Sequence, residues 1–149
     1  MTAYTLDPRG IRAPAWLWAM AALGVLWNLY GIYQFVGTLT PEGRSAMAAG
    51  MTAAQAQIYF SLPGWMTAGF AVGVFGGLLG SMALLVRPGM ALPVLATSLA
   101  GYVALFAGDV HFGVFDALPG QLAILVLVLV VAAVLFATAW VARARALPR

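Results

Sequence analysis

The chain alternates between long apolar stretches and short polar breaks. Four stretches consist almost entirely of apolar residues, at positions 14–36, 65–86, 91–112 and 122–142. A helix needs about 20 apolar residues to cross a hydrocarbon core of about 30 Å. We therefore predict an all-α integral membrane protein with a bundle of four transmembrane helices. Because these spans use nearly all of the chain, we expect residues 1–149 to form a single four-span membrane domain.

The breaks between the later spans are predicted to be tight turns. Residues 87–89 read Arg-Pro-Gly, and residues 118–120 read Leu-Pro-Gly. Proline and glycine end helices, so consecutive spans should be antiparallel neighbours. The first span follows Arg9 and Arg12 as a signal peptide would, but its apolar run is longer than the ~7–15 residues of such a segment. We interpret it as a retained helix.

The loop between the first two spans, residues 37–64, is the only sizeable polar stretch. Residues 40–42, Thr-Pro-Glu, are typical of a helix start, with a capping hydroxyl, a proline in the first turn and an acid at the positive end of the dipole. Apolar side chains then recur at helical spacing, namely Met47, Met51, Ala54 and Ile58. We predict a short amphipathic helix that lies on the outer membrane face or caps the bundle.

Charge is scarce and unevenly placed. Hydrophobic residues make up 64% of the chain and charged residues 7%, whereas soluble domains carry about 25% charged residues. An even number of spans puts most of the arginines on one side, namely Arg9, Arg12, Arg87, Arg143, Arg145 and Arg149, and leaves Arg44 on the other. The positive-inside rule makes the first side cytoplasmic, together with both termini. Arginines at span ends indicate topology, so we expect lipid neighbours and no nucleic-acid partner.

Small residues form stripes on three of the spans. The second span has glycines spaced three or four apart, namely Gly69, Gly73, Gly76, Gly77 and Gly80. The first span has a related face with Gly24 and Gly31, and the third span has one with Gly101. Such spacing lets backbones approach closely in lipid. We expect these three spans to pack their stripes together, although the ladder could also form a homodimer face. The fourth span has no such stripe and should be the most lipid-exposed, or face a partner.

A polar cluster is expected near the outer ends of the first and third spans. Its members are Asn28, Tyr33, Gln34, Tyr102 and Asp109. Polar groups within a membrane are costly and need partners. Three interpretations remain open: an interhelical hydrogen bond, a small-molecule or proton site, and an ion pair with another subunit.

His111 is the only histidine in the chain. It is a weak candidate for ligating one pigment or one haem, and a histidine at the headgroup level is the alternative. No cysteine, acid pair, nucleophile–base set or phosphate loop is present, so we predict no catalytic residues, no metal site, no cofactor and no enzyme.

Three segments resemble a family of small four-helix bacterial inner-membrane proteins whose members are often labelled "sugar transporter". They are the Trp-Asn pair at 27–28, the Pro-Gly-Trp sequence at 63–65 and the glycine-rich run at 70–80. Members share a Trp-Asn pair, a Pro-x-Trp opening of the second span, an Ala-x-x-x-Phe-Gly-Gly run and a basic C-terminal end. The resemblance implies four spans and a bacterial inner membrane.

Two functions are carried forward as hypotheses. The first is a small accessory subunit of a larger inner-membrane complex, of a kind that includes photosynthetic and respiratory assemblies. It rests on the dense glycine packing, the apolar fourth span and the lack of visible chemistry. The second is a small homo-oligomeric transporter with a polar site near Asn28 and Asp109.

Overall fold

The computed structural model describes residues 13–146 as a helical protein without strands. Four long helices are apolar enough to span a membrane: α1 (Ala15–Leu39), α4 (Gly64–Val86), α5 (Pro88–His111) and α7 (Pro119–Ala146). Three short helices connect them: α2 (Pro41–Ala48), α3 (Ala53–Phe60) and α6 (Val114–Ala117). The prediction of an all-α four-helix membrane bundle is confirmed. Arg9, Arg12 and Arg149 lie outside the described residues.

The turns between the later helices are shorter than the sequence indicated. Arg87 alone separates α4 from α5, and Pro88 already occupies the first turn of α5. Proline suits this position because its missing N–H would be unpaired there anyway. Pro119 likewise begins α7. These prolines therefore start the following helix, and they shift two predicted span starts by three residues.

The loop between α1 and α4 contains two short helices, so the prediction of one amphipathic helix is wrong in number. The first start was identified correctly, since the Gly43 amide donates to the Thr40 hydroxyl at 3.2 Å. The helical spacing is then interrupted at Thr52. Its hydroxyl accepts from the Gln55 amide at 3.3 Å, and the Gln55 side chain accepts from the Thr52 amide at 2.9 Å. This reciprocal pair favours a new helix start over continuation of α2.

The long helices are antiparallel neighbours in the order α1, α4, α5, α7. The terminus end of the bundle carries the start of α1, the Arg87 turn and the end of α7, and the loop end carries α2, α3 and α6. At the terminus end all four helices meet in one apolar cluster that includes Leu17, Leu84, Leu95 and Leu135. That end of the bundle is therefore closed.

The small-residue stripes of α1, α4 and α5 lie at their contacts, whereas the expectation for α7 needs correction. The glycines of α4 contact both neighbours: Gly77 meets Asn28 of α1, and Gly69 meets Gly101 of α5. Asn28 and Tyr102 join α1 to α5. The most exposed span is α1: 22% of its most apolar 18-residue stretch is buried, compared with 28% of the corresponding stretch in α7. The lack of glycine after Gly120 therefore did not identify α7 as the least buried helix, since the leucine and alanine side chains of α7 pack into the terminus-end cluster.

Candidate functional site

Close contact between α4 and α5 builds one wall of the site. A Cβ atom added to Gly101 would lie 2.8 Å from the Gly69 carbonyl oxygen, and one added to Gly73 would lie 2.5 Å from Cε1 of Tyr102. Both distances are below ordinary van der Waals contact, so no larger residue fits without movement. Gly76 faces Ser98 in the same way, and Gly80 faces Leu95.

A second face of α4, about 100° around the helix axis from the first, receives α1. A Cβ atom at Gly77 would overlap the Asn28 side chain, and one at Gly24 would overlap Ser81. At Gly31 the added atom would lie 2.8 Å from Cγ1 of Val74. Each of these glycines therefore makes room for a side chain of the neighbouring helix.

The polar groups in the middle of the bundle find partners within it. Asn28 is 1% exposed and donates from Nδ2 to the Gly24 carbonyl at 2.7 Å. The Tyr102 hydroxyl reaches Oδ1 of Asn28 at 3.5 Å, which is long for a hydrogen bond. Ser98 donates to the Gly73 carbonyl across the α4–α5 contact at 2.6 Å. Asn28 and Tyr102 are therefore joined as an interhelical contact.

Asp109 is the exception. It lies two helical turns from Tyr102 toward the loop end and is 2% exposed. Its Oδ2 atom has no hydrogen-bond partner among the residues that the structure describes. The side chains of Gln121 on α7 and Tyr59 on α3 lie beside it. A buried carboxyl oxygen without a protein partner is rare in native proteins and calls for an explanation, such as a bound water, ion or ligand.

A cavity of about 470 Å³ adjoins Asp109 at the loop end. α1, α4, α5 and α7 form its walls, and side chains of α2 and α3 cover it. Aromatic rings make up much of the lining: Trp27, Tyr30, Tyr59, Phe60, Phe70 and Tyr102. The two loop helices thus cap the bundle, which is the second of the two positions predicted for the outer-loop helix.

Arg44 is held in place at the rim of the cavity. Its Nε donates to the Thr38 carbonyl at 2.7 Å, and its guanidinium carbon lies 5.1 Å from the centre of the Phe60 ring. Beneath it, burial raises the pKa of Tyr59 above its ordinary value of 10.0, and the charge of Asp109 adds to the rise. The Tyr59 hydroxyl therefore keeps its proton at neutral pH and can donate a hydrogen bond.

The predicted polar cluster is divided by the structure. Gln34 and Asp109 line the cavity, while Tyr102 links the cavity wall to Asn28. Tyr33 does not belong to the cluster, because it is 73% exposed and faces away from the cavity. Adjacent residues of a helix point about 100° apart, so Tyr33 and Gln34 cannot both face inward.

His111 lies at the bundle surface, edge-to-face with Phe112 at 4.9 Å, and does not line the cavity. No group of three His, Cys, Asp or Glu residues that could hold a metal ion occurs within residues 13–146. The side chains that sequence reasoning missed are Arg44, Tyr59 and Gln121. The sequence does single out Gln121, because it is a polar residue directly before the unbroken apolar run of residues 122–136.

Comparisons with protein-family models, with curated proteins and with solved structures each find no match for the chain. The resemblance to the family labelled "sugar transporter" therefore stays a prediction.

Proposed function

We propose that this protein binds a small amphipathic molecule in the loop-end cavity, and that it does so as a carrier or receptor for that molecule in the membrane. The observation that carries the proposal is the buried, unpartnered Oδ2 of Asp109 beside a cavity of about 470 Å³. Ligand sites commonly have volumes of about 300–1,000 Å³, mostly apolar walls and a few polar groups. This cavity has that size and that composition.

A transporter is the form of this function that the shape of the bundle favours. The cavity lies in the loop-end half of the bundle beneath α2 and α3, and the cluster around Leu17, Leu84 and Leu135 closes the terminus end. A carrier that opens to one side at a time passes through such a state. The homo-oligomer expected from the sequence stays a prediction. The accessory-subunit hypothesis rests on the apolar surface of α7, which suits lipid and a partner subunit equally well.

We place the protein in a bacterial inner membrane with the loop end outside. Arg87, Arg143 and Arg145 lie at the terminus end, and Arg44 lies at the loop end. This distribution is the support for a cytoplasmic terminus end. Because the chain has no cysteine, single cysteines at Gly50 and Gly89 can test it. An impermeant thiol reagent added to whole cells should label Gly50→Cys and leave Gly89→Cys unlabelled; the reverse pattern would contradict the orientation.

Ligand binding can be tested with two matched substitutions on α7. Val128 lines the cavity, whereas Val130 faces outward on the same helix. Native mass spectrometry of the protein released from detergent micelles should show one bound small molecule per chain. We expect Val128→Trp to abolish this adduct, because the indole fills the cavity, and Val130→Trp to retain it. Equal adducts in both variants would refute binding in the cavity.

A further inference from the structure

The cavity opens sideways between α1 and α7. These helices share the apolar cluster with Leu17 and Leu135 at the terminus end, and nearer the loop end side chains of both line the cavity. Three side chains that line the cavity there are also largely exposed: Tyr30 at 57%, Ile124 at 59% and Leu127 at 51%. In a membrane this gap faces the hydrocarbon of one leaflet. A lipid-dissolved molecule can therefore reach the cavity without crossing water.

The cavity is polar at the loop end and apolar deeper in the bundle, as a lipid is polar at its head and apolar along its chains. Gln121 and Asp109 lie at the loop end. Val128 lies two turns further along α7, about 10 Å deeper at 1.5 Å per residue, and it packs beside Val74 and Phe70. A molecule with a polar head at the interface and an apolar chain beneath it therefore matches both the polar half of the cavity, near Asp109 and Gln121, and the apolar half, near Val128.

Two charged groups at the polar half remain open to a ligand. The Arg44 guanidinium is fixed through Nε and the Phe60 ring, and its terminal nitrogens make no hydrogen bond to the residues described. Asp109 presents Oδ2, and its neighbours from the other elements, Tyr59 and Gln121, are uncharged at neutral pH. Guanidinium suits phosphate, and a carboxylate suits a primary ammonium with its N–H donors.

We propose that the molecule bound in this cavity is a glycerophospholipid of the loop-end leaflet whose head carries a phosphate and a primary amine. Its phosphate pairs with Arg44 and its ammonium with Asp109. One acyl chain lies in the cavity, and the other remains in the bilayer at the opening between α1 and α7. This inference rests on the proposed function and adds the chemical class of the ligand and its route.

The test compares lipids that differ only in the head. Phosphatidylethanolamine, phosphatidylcholine, phosphatidylglycerol and diacylglycerol with the same acyl chains are titrated into delipidated protein in maltoside micelles, and occupancy is read by native mass spectrometry. Phosphatidylcholine keeps the positive charge but has no N–H donor. We expect phosphatidylethanolamine to bind about tenfold more tightly than phosphatidylcholine or phosphatidylglycerol, the factor typical of a hydrogen bond to a charged group. Diacylglycerol lacks both proposed contacts and should bind more weakly still.

Two variants give a crossed pattern that a general loss of structure would not produce. Asp109→Asn should remove the preference for ethanolamine over choline while keeping the preference for phospholipid over diacylglycerol. Arg44→Gln should remove the preference for phosphatidylcholine over diacylglycerol while keeping the preference for ethanolamine over choline. Asp116→Asn, at an exposed acid of α6 outside the cavity lining, is the matched charge control and should keep both preferences. Melting temperatures within a few degrees of wild type confirm that each variant is folded.

The outcomes separate this inference from the proposed function. If all four lipids bind equally and Val128→Trp blocks them, the cavity binds amphiphiles but the head chemistry proposed here is wrong. Tighter binding of phosphatidylglycerol than of phosphatidylethanolamine would overturn it as well. If no lipid binds, and no other adduct is lost in Val128→Trp, the proposed function itself fails.

Discussion

Replacing Gly73 with alanine should force Tyr102 out of its position in the cavity wall. The added Cβ atom would lie 2.5, 2.7 and 2.8 Å from Cε1, Cζ and Cδ1 of the ring. Carbon atoms in contact prefer about 3.5–4.0 Å, so the ring or the helix must move by about 1 Å. That movement also affects the Ser98 hydroxyl, which donates to the Gly73 carbonyl at 2.6 Å.

The expected cost follows from this geometry. Overpacking a well-packed interior destabilises it by about 1–3 kcal/mol. Alanine has a better helix propensity than glycine by about 1 kcal/mol, which offsets part of the loss. Comparison variants isolate the steric part. A Cβ at Gly69 meets only the Gly101 carbonyl oxygen at 3.3 Å, and one at Gly89 has nothing within 4 Å.

Thermal unfolding in maltoside micelles, followed by tryptophan fluorescence, provides the measurement. For a domain of about this length, 1 kcal/mol corresponds to about 2–4 °C in Tm. We expect the order Gly89→Ala, Gly69→Ala, Gly73→Ala from highest to lowest Tm, with several degrees between the first and the last. A Gly73→Ala variant as stable as Gly69→Ala would refute the reasoning, since Tyr102 would then move at no cost.

Three further changes have defined outcomes. Ser98→Ala removes the bond to the Gly73 carbonyl and should cost about 0.6 kcal/mol, the average for interhelical hydrogen bonds in membranes, measured by unfolding in mixed micelles. Tyr59 should ionise above pH 10.0, so its contribution to stability is present below that pH and is lost as the pH rises further. Absorbance titrations, with Tyr59→Phe as the reference, should show a lower pKa of Tyr59 in the Asp109→Asn variant. An unchanged pKa would contradict the proximity of Tyr59 and Asp109. Thr52→Ala removes a capping hydroxyl at a cost of about 1 kcal/mol, which should speed hydrogen exchange in the first turn of α3 without lowering exchange protection in α4.

Hydropathy and the prolines and glycines between the spans determine much of this fold, because the bilayer restricts the secondary structures that a chain can form. Backbone groups in hydrocarbon must pair within their own segment, so apolar length alone predicts α1, α4, α5 and α7. The same reasoning fails in the loop, where water competes for the backbone and local caps decide the structure. There the capping box at Thr52 outweighs the apolar spacing that suggested one continuous helix.

The candidate site was harder to predict than the fold. Asn28, Gln34, Tyr102 and Asp109 were grouped by depth, and depth follows from residue number. Which side of a helix faces inward depends on rotation about its axis, and nearly uniform apolar spans give little rotational signal. Tyr33 was misplaced for that reason. In the sequence, Arg44 indicates only topology, because its position over the cavity depends on the fold of α2.

Only one residue separates α4 from α5. We therefore expect α4 and α5 to enter the membrane together as a hairpin, with the Arg87 charge kept at the aqueous boundary while the hydrophobic segments on either side of it cross. A lengthened turn at Arg87 should therefore alter biogenesis before it alters the finished protein.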